Sequence, residues 1–80
     1  MSPDQAPAGQ ADREMRVEFL VDGELSDTVL ASFPELQVAR GPAGGTALYG
    51  TVLDRAHLEG LLDRFAELGI AVVEFRQLPM

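Results

Sequence analysis

His57 is the only histidine of the chain, and it is the first residue to consider for acid–base chemistry or metal binding. It falls on the first turn of a predicted helix, close to Asp54. A lone histidine beside an aspartate is more often a surface residue or a partner in the helix cap than a ligand. A nucleophilic Ser26 or Ser32 would need His57 as its base, and nothing in the sequence brings them together. We therefore predict no catalytic residue and expect that the chain is not an enzyme.

Two further patterns that could support chemistry give no site. Glu59 and Asp63 lie four residues apart on the same predicted helix, but they face solvent, where nothing would push their proton affinities apart. The chain has no cysteine, which excludes disulfides and thiolate zinc sites. We expect neither a metal nor a cofactor.

Residues 41–45 form a glycine-rich segment with the sequence Gly-Pro-Ala-Gly-Gly. A phosphate-binding loop needs backbone amides that open a helix, often together with a lysine. This segment provides neither feature, and it lies between two predicted strands. It is therefore predicted to be the connection of a β-hairpin.

The charge of the chain limits its partners. The formal net charge is −7, and all six basic residues are arginines. An acidic chain is repelled by phosphate backbones, so we exclude nucleic acid and anionic membranes as partners. No apolar run approaches the roughly 20 residues that span a bilayer. The N-terminus also lacks the basic start and apolar stretch of a secretory signal, so we expect a cytoplasmic location.

Hydrophobic spacing divides the chain into a tail and one domain. Residues 1–13 are rich in proline, glycine and aspartate and have no bulky apolar residue after Met1, so they are predicted to be a disordered tail. Residues 14–80 are predicted to form the domain. It begins with a strand in which Val17, Phe19 and Val21 share one face. A short helix over about residues 24–33 then ends before a proline.

The remaining elements complete a βαββαβ order. Strands are predicted at 36–40, 46–53 and 71–76, and a second helix lies between the last two. Asp54 is its expected N-cap and Gly69 its expected C-terminal residue. Its apolar stripe consists of Leu58, Leu61, Leu62, Phe65 and Leu68. The simplest packing is a ferredoxin-like α+β fold, a four-stranded antiparallel sheet of order 4-1-3-2 with both helices on one face.

The face of the sheet that the helices leave uncovered is the predicted interaction surface. Alternation along the strands assigns to it Arg16, Glu18, Leu20, Gln37, Ala39, Ala47, Tyr49, Thr51, Val72, Glu74 and Arg76. Leu20, Tyr49 and Val72 form a weakly apolar patch, while the charged residues are expected to form ion pairs between the first and last strands. We interpret the patch as a homodimer interface, with sheets face to face or side by side. The alternative is a solvated face with ordinary exposed apolar residues.

The turn after the first strand carries a second candidate site. It contains Asp22, Gly23 and Leu25, and in this respect it resembles the start of an ACT-type regulatory domain. In that family the turn lies at a dimer interface and binds an amino acid through backbone amides. The resemblance implies a small-molecule site at Asp22, Gly23 and Leu25.

The domain as a whole resembles small uncharacterised actinobacterial proteins. The shared cadence is Gly23-Glu24-Leu25, then Phe33-Pro34-Glu35-Leu36, then a leucine-rich helix leading to Leu68-Gly69-Ile70 and the last strand. This resemblance covers most of residues 17–79 and supports the fold without supplying an activity. We expect a non-catalytic interaction or regulatory module that forms a homodimer or binds a protein partner. The alternative is an ACT-like small-molecule sensor.

Overall fold

The computed structural model describes residues 14–79. Its elements are strand β1 (Met15–Val21), helix α1 (Asp27–Leu30), strand β2 (Gln37–Arg40), a 3₁₀ turn (Pro42–Gly44), strand β3 (Thr46–Val52), helix α2 (Arg55–Glu67) and strand β4 (Val72–Leu78). The predicted order of elements is confirmed. The predicted tail at residues 1–13 lies outside the described residues.

The four strands form one antiparallel sheet of order β2-β3-β1-β4, which is the predicted order read from the other edge. Phe19 in β1 lies opposite Leu48 of β3 and Phe75 of β4. Val29 of α1 and Leu58 of α2 both pack against the buried cluster that contains Phe19. Both helices therefore cover the same face of the sheet.

Aromatic rings join the helices to the sheet. The ring centroid of Phe65 on α2 lies 5.0 Å from that of Phe19 and 4.4 Å from that of Phe33, with which it is stacked. All three side chains are buried. The other buried apolar residues of this cluster are Val17, Val21, Leu36, Leu48, Val52 and Leu61. Burial of this cluster supplies the main driving force for folding, at roughly 25 cal/mol for each Å² of apolar surface.

Helix α1 is a single turn and is shorter than predicted. Residues 24–26 are not helical, and Ser26 caps the helix by accepting a hydrogen bond at Oγ from the N–H of Val29, 3.2 Å away. After Leu30 the chain tightens, because Ser32 and Phe33 donate to carbonyls only three residues back. This tightening turns Phe33 into the core just before Pro34.

Helix α2 begins and ends as predicted, but its apolar stripe is only partly covered. Leu61 and Phe65 are buried, whereas Leu62 is 39% exposed and Leu68 is 42% exposed. The stripe is wider than the surface that the sheet offers it. Within the described residues, no helix combines the length and the apolarity needed to cross a bilayer.

Strand β4 contains an irregularity that changes the face of one predicted interface residue. The register passes from Leu20 opposite Glu74 to Val21 opposite Val72, so Val73 is an extra residue in a β-bulge. Val72 therefore turns towards the helices and packs against the core cluster. Its assignment to the uncovered face was wrong, because simple alternation does not hold across a bulge.

The segment between α1 and β2 lies close against Gly50 of β3. A Cβ atom at this position would lie 2.8 Å from the carbonyl oxygen of Glu35 and 3.1 Å from Cδ2 of Leu36. Gly50 lies opposite Val17 and so faces the helices. The missing side chain provides the space into which the turn carrying Glu35 and Leu36 packs.

Candidate functional site

The uncovered face of the sheet is organised in rows across the strands. Leu20 lies opposite Ala47, which lies opposite Ala39 on β2. The next row places Tyr49 of β3 opposite Glu18. Leu20 and Tyr49 are half-buried, and Ala47 is only 4% exposed. Val72 lies on the other face, whereas the half-buried Leu78, opposite Arg16, lies on this one.

One of the expected ion pairs crosses from β1 to β4. Arg76 donates from Nη2 to Oε1 of Glu18 at 2.6 Å and from Nε to the same oxygen at 3.2 Å. This hydrogen bond and the charge of Glu18 raise the pKa of Arg76. Arg16 and Glu74 do not form a matching pair, because they lie opposite Leu78 and Leu20 respectively.

The turn between β1 and α1 is held against β3 by the hydroxyl of Thr46. Gly23 has a positive φ of 77°, which favours glycine at this position. Its carbonyl oxygen accepts a hydrogen bond from Oγ1 of Thr46 at 2.7 Å. Thr46 is 7% exposed and Gly23 is exposed, so the bond is partly shielded from water. The Gly23 carbonyl of the predicted ligand turn is thus engaged within the protein.

The three residues predicted to bind a ligand do not line one cavity. Leu25 lines an open groove of about 600 Å³ beside the edge strand β2, together with Leu30, Val38 and Arg40. Asp22 lines a separate cleft of about 230 Å³ between the first turn, the hairpin loop and β4. Gly23 lines neither of these two spaces. Any ligand that contacts Leu25 would therefore lie on the β2 side of the turn.

A polar cluster forms around His57 at the beginning of α2. The backbone N–H of His57 donates to Oδ1 of Asp54 at 2.9 Å, so His57 takes part in the helix cap. Its Nδ1 accepts a hydrogen bond from the N–H of Leu53 at 3.0 Å, so that nitrogen carries no proton. The proton of the neutral ring is on Nε2, which donates to Oε2 of Glu35 at 3.2 Å.

Glu35 and Arg64 complete this polar cluster. Arg64 donates from Nη1 to the carbonyl oxygen of Ser32 at 2.7 Å and to Oε1 of Glu35 at 3.3 Å. Its guanidinium group lies 5.4 Å from the centre of the Phe33 ring. Burial alone would raise the pKa of Glu35, but its own backbone N–H, His57 and Arg64 together hold that pKa below its usual value. The cluster fastens the turn before β2 to α2.

Sequence reasoning did not identify Glu35 or Arg64 as members of one cluster. His57 and Arg64 are seven residues apart and so lie on one side of α2, which is a weak signal that this side contacts something. The sequence does not say that Glu35 faces them. In residues 14–79, no three side chains of the types that bind metals are close enough to hold an ion together.

Comparison with known proteins assigns the chain to a family. No curated protein and no solved structure matches the chain significantly. A family model described as a domain of unknown function, DUF8691, matches residues 16–76. The match runs from β1 into β4 and so includes both helices, β2 and β3, and most of β1 and β4. Because it covers well over half of the chain, the protein belongs to the DUF8691 family.

Proposed function

We propose that this protein is a non-catalytic interaction module that binds a second copy of itself through its sheet. The observation that carries the proposal is the sheet itself. The uncovered face of the sheet bears the half-buried Leu20 and Tyr49. The edge strand β4 has five consecutive exposed residues. A small domain has much surface for its volume, so its core provides limited stability. Burial of surface against another copy adds to that stability.

The residues that could have done chemistry have structural roles that support this proposal. His57 uses both ring nitrogens within the domain, one for the backbone of Leu53 and one for Glu35. Asp54 and Ser26 cap the two helices. These hydrogen bonds occupy the groups that a general base or a nucleophile would need free.

We also propose a ferredoxin-like, ACT-like classification and a cytoplasmic location. The strand order and the packing of both helices on one face support the classification. The acidic composition favours protein partners over nucleic acid.

Sedimentation equilibrium of the full chain tests the proposal. We expect the apparent mass to rise from one chain to two as the concentration increases through the micromolar range. A mass of one chain throughout would contradict it. The variant Tyr49→Asp then identifies the surface, because a charge at the centre of the uncovered face disrupts a face-to-face dimer and spares a side-by-side one. Ala56→Asp, which adds the same charge on an exposed position of α2, is the matched control.

A small-molecule sensor is the second candidate function, and the groove beside β2 favours it. The groove combines the apolar Leu25, Leu30 and Val38 with the cation of Arg40 and the carboxylate of Glu24. This combination suits a small zwitterion with an apolar part, such as an amino acid. A thermal-shift screen with such acids should raise the melting temperature of the wild type but not of Arg40→Ala, with Arg16→Ala as control. Absence of any shift would count against a sensor.

A further inference from the structure

The free edge of β4 is the most open hydrogen-bonding surface of the sheet. β4 has seven residues, it pairs with β1 on one side, and no other strand of residues 14–79 lies along its other side. It contains no proline, which would block pairing along such an edge, and its two charged residues, Glu74 and Arg76, have opposite signs. Its bulge lies at its beginning, so the stretch from Glu74 to Leu78 pairs regularly with β1. β2, on the opposite edge, has only four residues.

We propose that two copies of the chain pair through β4, antiparallel and edge to edge, to form one continuous eight-stranded sheet. This inference rests on the proposed function, self-association, and names its contact surface. A dimer of this kind has a two-fold axis perpendicular to the sheet, so both copies keep their helices on the same side. The axis also requires that one residue of β4 lies opposite its own counterpart.

The sequence of β4 is self-complementary about Phe75. With Phe75 on the axis, Glu74 lies opposite Arg76 of the partner subunit, and Arg76 lies opposite the partner's Glu74. Both pairs join opposite charges on the same face of the sheet. Centring the strand on Glu74 or on Arg76 instead places like charges directly opposite each other, and centring on Val73 or Gln77 shortens the paired stretch. Phe75 is also the middle residue of β4 as the structure defines it.

We call the contact between the two β4 strands the seam. The two copies complement each other on both faces of the sheet at this seam. On the helix side, Phe75 is 41% exposed although its ring lies 5.3 Å from that of Phe19, so an apolar partner can still be added to it. The partner's Phe75 supplies one across the axis. On the uncovered side, Arg76 already bonds Glu18 of its own chain at 2.6 Å. Pairing brings the partner's Glu74 to its other side, so that charges alternate across the seam.

Charge reversal at the seam provides a test with its own rescue. Glu74→Arg places arginine opposite arginine, and Arg76→Glu places glutamate opposite glutamate. Each variant alone should dimerise at least about tenfold more weakly than the wild type, because two attractive pairs become repulsive. An equimolar mixture of the two variants restores both attractive pairs between unlike chains. The mixture should therefore form a heterodimer with an affinity close to that of the wild type.

Controls separate this seam from other surfaces and from unfolding. Glu59→Arg, a charge reversal at an exposed position of α2, should dimerise normally, and so should Tyr49→Asp. Circular dichroism confirms that each variant folds. If Tyr49→Asp abolishes the dimer and Glu74→Arg does not, edge pairing is overturned while self-association stands. If the wild-type chain is a monomer at every concentration, both proposals fail.

Hydrogen exchange on the unmodified full chain gives a second readout that does not depend on any variant. Pairing along β4 engages backbone amides that otherwise contact water. Among residues 73–77, the amides that point away from β1, which are every second one, should therefore exchange more slowly as concentration rises, while those of β2 should not change. Protection that grows along β2 or is absent from β4 would overturn the proposed seam.

Discussion

At the scale of single residues, the few side chains that could take part in chemistry instead join separate parts of the chain. Glu35 lies 22 residues from His57 and 29 from Arg64, yet its carboxylate contacts both. The ion pairs are partly exposed, so screening by water reduces the contribution of each. The cluster holds the turn before β2 against α2 in one geometry, in which Phe33 faces the core.

Acid should weaken this cluster in a predictable direction. The pKa of Glu35 is lowered in the folded chain, so its ionised form stabilises folding at pH values above the ordinary glutamate pKa, about 4.3, and this stabilisation is lost as the pH falls through the lowered value. Glu35→Gln should lower the free energy of unfolding by about 1 kcal/mol at neutral pH, and the difference should shrink in acid. Urea unfolding at both pH values measures this. Glu59→Gln, at an exposed position of α2, is the control, and an equal loss at both pH values would contradict the account.

The tautomer of His57 is a second expectation at this scale. Because Nδ1 accepts the N–H of Leu53, the neutral ring should carry its proton on Nε2. The ¹⁵N chemical shifts of the imidazole report the tautomer directly, and the chain has only one histidine to assign. A proton found on Nδ1 would mean that the bond to Leu53 does not form in solution.

At the scale of elements, the pieces fit because particular residues leave room or supply a bond. Gly50 leaves the space into which residues 35 and 36 pack, and Thr46 fastens the first turn to β3. Neither feature belongs to the hydrophobic pattern of its strand. Both concern contacts between segments that are distant in the sequence.

Two glycine substitutions should have opposite effects on stability. Gly50→Ala brings a methyl group within 2.8 Å of the Glu35 carbonyl oxygen, so the turn must shift, at a cost of about 2 kcal/mol. Gly60→Ala in α2 meets no atom within 4 Å and should stabilise by up to about 1 kcal/mol, because alanine favours a helix. Thermal unfolding compares the two variants. A neutral Gly50→Ala would show that the close approach is relieved in solution.

The hydroxyl of Thr46 should contribute more to the free energy of unfolding than the hydroxyl of Thr51 on the same strand. Thr46→Val keeps the shape but leaves the Gly23 carbonyl without its 2.7 Å partner, which should cost about 1 kcal/mol. Thr51→Val changes an exposed position and should be close to neutral. Urea denaturation of both variants makes the comparison, and equal effects would remove the special role of the Thr46 bond.

The limits of the sequence as a guide are clearest at this scale. Period-two and helical spacing predicted the order of elements, because each buries one face, and the preference for right-handed crossovers predicted the order of strands. The helix predicted over 24–33 proved to be one turn, since a serine cap and the three-residue hydrogen bonds before Pro34 compete with it. Val72 was assigned to the wrong face because nothing in its local sequence marks the bulge. Glu35 escaped notice because its partners are distant in the chain.

At the scale of the whole molecule, residues 14–79 cover one face of the sheet with the helices and place no element over the other face or along the outer sides of β2 and β4. The helices bury the aromatic cluster, while Leu20 and Tyr49 remain half-buried on the other side. β4 carries a charge pattern that a second copy complements. These surface features favour association of a small acidic domain, and we propose association as its function.

The most direct test is the molar mass of the full chain by multi-angle light scattering over a dilution series. We predict a mass that moves from one chain towards two as concentration rises, and a dimer weakened by Glu74→Arg. A mass of one chain at every concentration would contradict self-association and would leave the edge of β4 without the partner proposed for it.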